Sequence, residues 1–458
     1  MLSDDVLLYI FNVYRQKSKV AAADDMWPWH AVVHVCKRWR HLIFAWPHLL
    51  DLRVACRSAS AVAKALDIWP ALPISIRSEL DGENDDDIIT ALKHRDRIAG
   101  INLSGLTKLQ LERCANLMQE PFPLLRVLFL RCAENDAPPI TGSFLGGSAP
   151  RLQDVKLCNI QILTLPKLLL STSNLVVLVL RDITRTGYIS PDSMASYLAM
   201  LTRLHSVAIC FHYGISFPQD HTNRCPPLTR AVLPALTTFV FEGSSEYLED
   251  LVARIDAPIL SHFQLKFFYQ SIFHIPQLPR FICRGESFKP FVEAHVDFCN
   301  HFMDICLVPS DEFFFAMRFQ PTGFDRQLSL LEQIYTQFSL LLCHVSHLYL
   351  RRETNPLPIQ PDSALWLGIL RPFNAVQILF ISGDELELEI PRVLGELAAE
   401  RAVEVLPMLH TVVLMCPHPV RPLVTSLLKP FIDARRHSDH PVTVTRKGPG
   451  CELFEDNG

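Results

Sequence analysis

The chain has no C-x-x-C pair among its 13 cysteines. Disulfide scaffolds are short and cysteine-dense, so a chain of 458 residues with an odd cysteine count reads as reduced and intracellular, in the cytoplasm and/or the nucleus. There is no basic excess either. A formal net charge of −5 speaks against a general nucleic-acid or membrane-surface binder. No apolar run approaches a membrane span; the nearest, residues 175–180, has the length of a buried strand. The first residues show no basic stretch ahead of an apolar core, so no secretory signal is expected. G-x-x-x-x-G-K-[ST], G-x-G-x-x-G, H-E-x-x-H and G-x-S-x-G are all missing, which removes support for phosphate cradles, zinc proteases and serine hydrolases. Cys299-x-His301 with Cys306, and Cys416-x-His418, lack a second pair at ligand spacing. The acidic run 81–87 lacks a calcium-loop spacing and reads as a solvated loop and helix cap. No catalytic residue, cofactor or metal is therefore expected, and the chain is read as a non-enzyme.

What remains is a large apolar core: 49% hydrophobic and 20% charged residues fit an ordered protein. The chain begins with an amphipathic stripe, Leu2, Val6, Leu7, Ile10 and Phe11. Ser3 is a suitable N-cap, with Asp4 and Asp5 where the helix dipole favours acids. The polar stretch 16–25 interrupts the pattern. A second helix is expected over 29–44, where Val32, Val35, Cys36, Trp39, Leu42 and Ile43 recur at three and four, and Pro47 ends it.

Further on, L-x-x-L-x-L returns repeatedly. The matches begin at Ile98-x-x-Ile101-x-Leu103, Leu125-x-x-Leu128-x-Leu130, Leu152-x-x-Val155-x-Leu157 and Leu175-x-x-Leu178-x-Leu180. They continue at Leu204-x-x-Val207-x-Ile209, Leu236-x-x-Phe239-x-Phe241 and Leu260-x-x-Phe263-x-Leu265. The interval drifts around roughly 27 residues, within the range of leucine-rich repeats. Pro123, Pro150, Pro234 and Pro258 stand two positions before the first apolar residue, as at strand entries. Helices are expected over 106–118, 191–201 and 247–255. The phenylalanine-rich stretch 266–343 reads as degenerate repeats with longer strands, its aromatics as core. The pattern returns at Val345, Val376 and Leu409, followed by a capping helix over 421–436 and an edge strand over 440–445. Cys114, Cys132, Cys158, Cys210 and Cys416 follow strand-like runs, the place where such repeats turn, and read as buried thiols.

The residues Leu2-Ser-Asp-Asp-Val6-Leu7-Leu8-x-Ile10-Phe11, Val35-Cys36-Lys37-Arg38-Trp39-Arg40-x-Leu42 and Pro47 resemble an F-box. With 146–152, 245–254 and 431–435, most of the chain is similar to the F-box and leucine-rich-repeat proteins expanded in mushroom-forming fungi. Two features depart from that family: Ser3 stands where Pro is usual, and residues 14–25 are inserted between the two halves. The resemblance implies an adaptor of a cullin–RING ubiquitin ligase that docks a Skp-type linker protein and holds an unknown target protein on its repeats, with neither nucleic acid nor membrane as partner. The linker-facing residues would be Leu2, Val6, Leu7, Ile10, Phe11, Val35, Cys36 and Trp39; the same residues would equally serve a helical core. Catalysis by such an adaptor is proximity alone.

The expected fold is α/β: an all-α F-box-like domain over 1–52, a connecting segment over 53–97, an irregular leucine-rich-repeat solenoid with a parallel sheet and outer helices over 98–446, and a tail over 447–458. The rival reading is a repeat scaffold for protein interaction outside any ubiquitin ligase.

Overall fold

The repeated pattern folds as a tight turn followed by a strand. Its first apolar residue closes the turn: the N–H of Leu125 donates to Phe122 O, Leu152 to Ala149 O, Leu236 to Leu233 O and Leu260 to Ala257 O, at 3.1–3.3 Å. Pro123, Pro150, Pro234 and Pro258 thus occupy the second position of a β-turn, where a preset φ is favourable. They stand at the entry to the strands, as turn residues that lead into them. The second and third apolar residues lie within the strand, two apart on one face. Leu128, Leu130, Val155, Leu157, Phe263 and Leu265 are all at most 1% exposed.

The computed structural model describes residues 2–21, 35–45, 52–55, 62–63, 66–67, 72–79, 86–135, 137–213, 229–268, 273–285, 289–309, 313–321, 323–352, 363–383, 386–401, 404–415 and 422–446. The chain divides into two compact units, Met1–Val177 and Leu178–Gly458.

The first unit carries two N-terminal helices, Asp4–Ala21 and Lys37–Ala45. Five parallel strands follow: β1 (Leu52–Ala55), β2 (Ile74–Glu79), β3 (Ile98–Leu106), β4 (Val127–Cys132) and β5 (Asp154–Cys158), each paired with the next. The ladder therefore starts inside the segment read as a connector. The helix Lys108–Leu117 opens on a capping box between Thr107 and Gln110. Cys114 lies inside this helix, so it is not the post-strand residue its sequence position suggested; Cys132 and Cys158 do end strands. Next to Cys158, Asn159 is buried at φ 55° and donates to Glu134 O of the preceding coil. Strand β6 (Val177–Ile183) spans the division between the units.

The second unit opens on β7 (Ser206–Phe211). A short parallel pair, β8 (Ala231–Val232) with β10 (Ile255–Asp256), stands apart from the main sheet, in which β9 (Thr238–Gly243) and β11 (His262–Phe267) continue parallel from β7. The phenylalanine-rich stretch departs from the repeat. Strands β12 (Phe291–Phe298), β13 (Met303–Pro309) and β14 (Phe314–Phe319) form an antiparallel meander laid in reverse, so the spatial order is β11-β14-β13-β12. Then β15 (His347–Arg352), β16 (Ile378–Ser382), β17 (Thr411–Leu414) and β18 (Thr443–Arg446) resume the parallel ladder from β12. The two matches at Phe291 and Phe314 are strands, but they are not successive repeats. The phenyl rings fill the core beneath them. Phe263 stacks on Phe239 at 5.2 Å, Phe267 on Phe319 at 5.3 Å, and Phe291 on Phe315 at 6.0 Å.

The reversed meander obliges the chain to cross two strands between β11 and β12. That crossing is held by side chains. Gln333 and Gln337 of the helix Phe324–Gln337 accept from the backbone of Phe273 and Ile275. Glu249, in the helix Ser245–Val252, accepts from Gln277 N at 2.7 Å and Leu278 N at 2.9 Å, capping the helix Gln277–Cys283. From sequence, the acids within 247–250 read as a solvated helix face; Asp250 is exposed, but Glu249 is a half-buried clasp.

Burial pushes the Glu249 carboxyl up to about 7, against the two N–H donors that favour its charged form. Between the ordinary 4.5 and about 7, the folded chain holds a proton that the unfolded chain has released. Stability from this group is therefore present below that window and falls as pH rises through it. Glu249→Gln should abolish this slope, a difference on the order of 1–2 kcal/mol after solvent screening. Paired urea melts of wild type and variant at pH 5 and pH 8 measure it.

Candidate recognition surfaces

The N-terminal helices divide the eight expected linker-facing residues into two groups. Ser3 Oγ accepts from Val6 N at 3.4 Å, so the residue replacing the usual Pro starts the helix by capping it. Leu7 is 2% exposed and Phe11 7%. Phe11 meets the half-buried Trp39 edge-on at 5.0 Å, and Ile43 is buried in the same helix as Trp39. These residues are the inner packing of the pair. Arg38 clips the two helices together, donating to Leu2 O at 2.8 Å and to the Asp4 carboxylate. Leu2, Val6, Ile10 and Val35 are 42–58% exposed, and Cys36 is exposed as well. An apolar surface is thus left on the outside of a small packed helix pair. The helix Asp4–Ala21 runs on through half of the polar stretch that the sequence marks as an interruption. Residues 29–34 of the expected second helix, Pro47, Cys416 and the tail 447–458 lie outside the described residues.

A second surface lies on the sheet of the second unit. Alternate side chains along its strands point away from the phenylalanine core, and the register aligns them in rows. One row carries Gln264, Ala316, Cys306, His295, Tyr349 and Phe380 on successive strands. Its rings stack face to face: His295 on Tyr349 at 4.1 Å, and Tyr349 on Phe380 at 4.2 Å, both within 4° of parallel. His262 on Phe314 repeats the arrangement at 4.7 Å two residues toward the strand starts. All five of those rings are partly exposed, and Phe314 is 40% exposed.

The adjoining row is charged. Lys266 pairs with Glu242 across β11 and β9. Arg318 makes two bonds of 2.7 Å to the Asp304 carboxylate, and Asp297 stands opposite Arg351. The bidentate pair holds the Arg318 guanidinium above its ordinary value. In the same sheet, burial pushes the Cys210 thiol up to about 12 and Cys306 up to about 11. Neither is a nucleophile at neutral pH. Sequence reasoning expected a target protein on the repeats but singled out none of these residues. Their signal was present as aromatic and charged residues at the alternating positions between the repeat leucines.

Among the described residues, no group of three His, Cys, Asp or Glu is placed to hold a metal ion. Likewise, no described helix is long and apolar enough to cross a membrane.

No family model matches the chain. No curated relative matches it either. Among solved structures, it is similar to the leucine-rich repeat-containing protein LegL7 from Legionella pneumophila, at 13% identity over 83% of this chain and 97% of that one, with a TM-score of 0.27. That score carries no weight of its own. The repeat character rests on the register: turn, strand and helix recurring in parallel within each unit, the arrangement in which neighbouring coils supply one another's core.

Proposed function

We propose that the chain is a recognition adaptor: the N-terminal helix pair docks a Skp-type linker of a cullin–RING ubiquitin ligase, and the repeat strands hold a target protein. The observation that carries the first part is the division of the N-terminal stripe. Leu7, Phe11 and Ile43 already satisfy the helix pair's own core, with Trp39 against them. Leu2, Val6, Ile10 and Val35 are then surplus to packing, and helix-in-groove docking uses apolar anchors at this spacing. A scaffold that binds proteins without a ligase is the second reading; Ser3 and the inserted residues 14–25 favour it.

The two readings separate on variants chosen by exposure. Purified Skp-type linker should be captured by the wild-type chain and lost, by at least about tenfold, in Val6→Asp with Ile10→Asp, while the thermal melt stays within a few degrees. Leu7→Ala is the wrong probe, because it empties the pair's own core. Capture unaffected by the two aspartates, or absent from wild type, leaves the scaffold reading.

A further inference from the structure

We infer that the open face of the second unit docks an uncharged segment of its partner protein, with an aliphatic or aromatic side chain anchored on the His295–Tyr349–Phe380 stack. This deepens the recognition reading and rests on it.

Charge is the first argument. Two ion pairs match the charged row within itself, Lys266 with Glu242 and Arg318 with Asp304, and Asp297 and Arg351 add neighbouring charges of opposite sign on adjacent strands. Glu293, beside the stack, meets His295 Nε2 at 3.1 Å. A partner that covers this face need bring no counter-charge. A charged segment would have to break one of these pairs and leave a desolvated ion behind, which costs more than an exposed pair returns. The complement of a self-neutralised row is a neutral surface.

The stack supplies the second argument. Each ring is held by its neighbour on the next strand, within 4° of parallel. Little rotamer freedom remains to be lost on binding, and rigid aromatics are the residues on which interface energy concentrates. With strands about 4.8 Å apart, the three rings present a comb about 10 Å wide, matched to one large apolar side chain and its neighbours.

The full chain is screened against a displayed library of random 12-residue peptides, and the enriched peptides are synthesised and titrated. Enriched sequences should carry little net charge and a Trp, Phe or Leu anchor. Their Kd should change less than about threefold between 0.1 and 1 M NaCl. Tyr349→Ala and Phe380→Ala should each weaken binding at least about tenfold, and Tyr349→Phe should stay within about threefold. Enrichment of acidic or basic peptides with steep salt dependence overturns the proposal. So does binding indifferent to Tyr349→Ala and Phe380→Ala, or a screen in which no peptide is enriched. Tyr349→Phe retains the ring, so its melt and affinity show whether a loss in the alanine variants comes from the surface or from unfolding. Linker capture is measured on the same preparations: a chain that holds the linker but selects charged peptides refutes this proposal alone.

Discussion

Phe315→Ala should destabilise the second unit by about 3–5 kcal/mol, whereas Phe314→Ala, one residue earlier, should cost under about 1 kcal/mol. The two side chains differ only in the face of β14 they occupy. Phe315 is wholly buried, packed between the rings of Phe263, Phe291 and Phe338 at 5.6–6.1 Å. Truncation leaves a ring-sized void among these rigid rings. Phe314 stacks on His262 and keeps 40% of its surface. Urea melts with a common m-value measure both. Equal costs would mean that β14 is turned over, with every row on the open face misassigned.

Arg435 carries the second large effect. Its side chain is fully buried, and its Nη2 reaches Leu406 O and Pro407 O at 3.1 Å and Leu409 O at 2.8 Å. Those carbonyls belong to the turn ahead of β17, where Leu406 sits at φ 49°. A helix near the end of the chain thus locks the turn of the coil before it. Burial lowers the guanidinium below its ordinary value. Arg435→Met should cost about 3–5 kcal/mol, since it removes the donors from a set of buried carbonyls. Arg435→Lys should recover little, because a single ammonium cannot reproduce the planar fork. Thermal melts of the full chain, with hydrogen exchange at residues 404–415, measure the loss and its place. A melt within 2 °C of wild type for Arg435→Met would contradict this role.

The leucine ladder was legible because burial demands the same residue type at the same place in every coil. Leu128, Val155, Phe239 and Phe263 meet that demand, and any one of them predicts the others. The order of strands within the meander was not legible. Phe291-x-x-Ala294-x-Val296 and Phe314-x-x-Met317-x-Phe319 match the repeat pattern whether they lie side by side or with β13 between them. Met303–Pro309 lacks the turn-closing leucine, so the repeat pattern did not single it out as a strand. The prolines were found at the strand entries, but the β-turn that each of them shapes was not. For the N-terminal stripe, spacing identified the apolar residues without dividing them. Leu7 and Val6 differ by one position, yet only the partner helix decides that Leu7 faces inward. Asn159 and Glu249 were invisible because their partners lie in other coils, 25 or more residues away.

The row assignments, and with them the open recognition face, depend on β14 lying next to β11. Paired cysteines test this most directly. Lys266 and Arg318 are partners in register, while Lys266 and Asp297 would be partners only if β12 followed β11 as an ordinary repeat. In the reversed order, three strand intervals, about 14 Å, separate the latter pair. Mild oxidation of the full chain should close a disulfide in Lys266→Cys with Arg318→Cys and none in Lys266→Cys with Asp297→Cys, since Cα atoms beyond about 7 Å cannot be bridged. Closure of the second pair in place of the first would contradict the account.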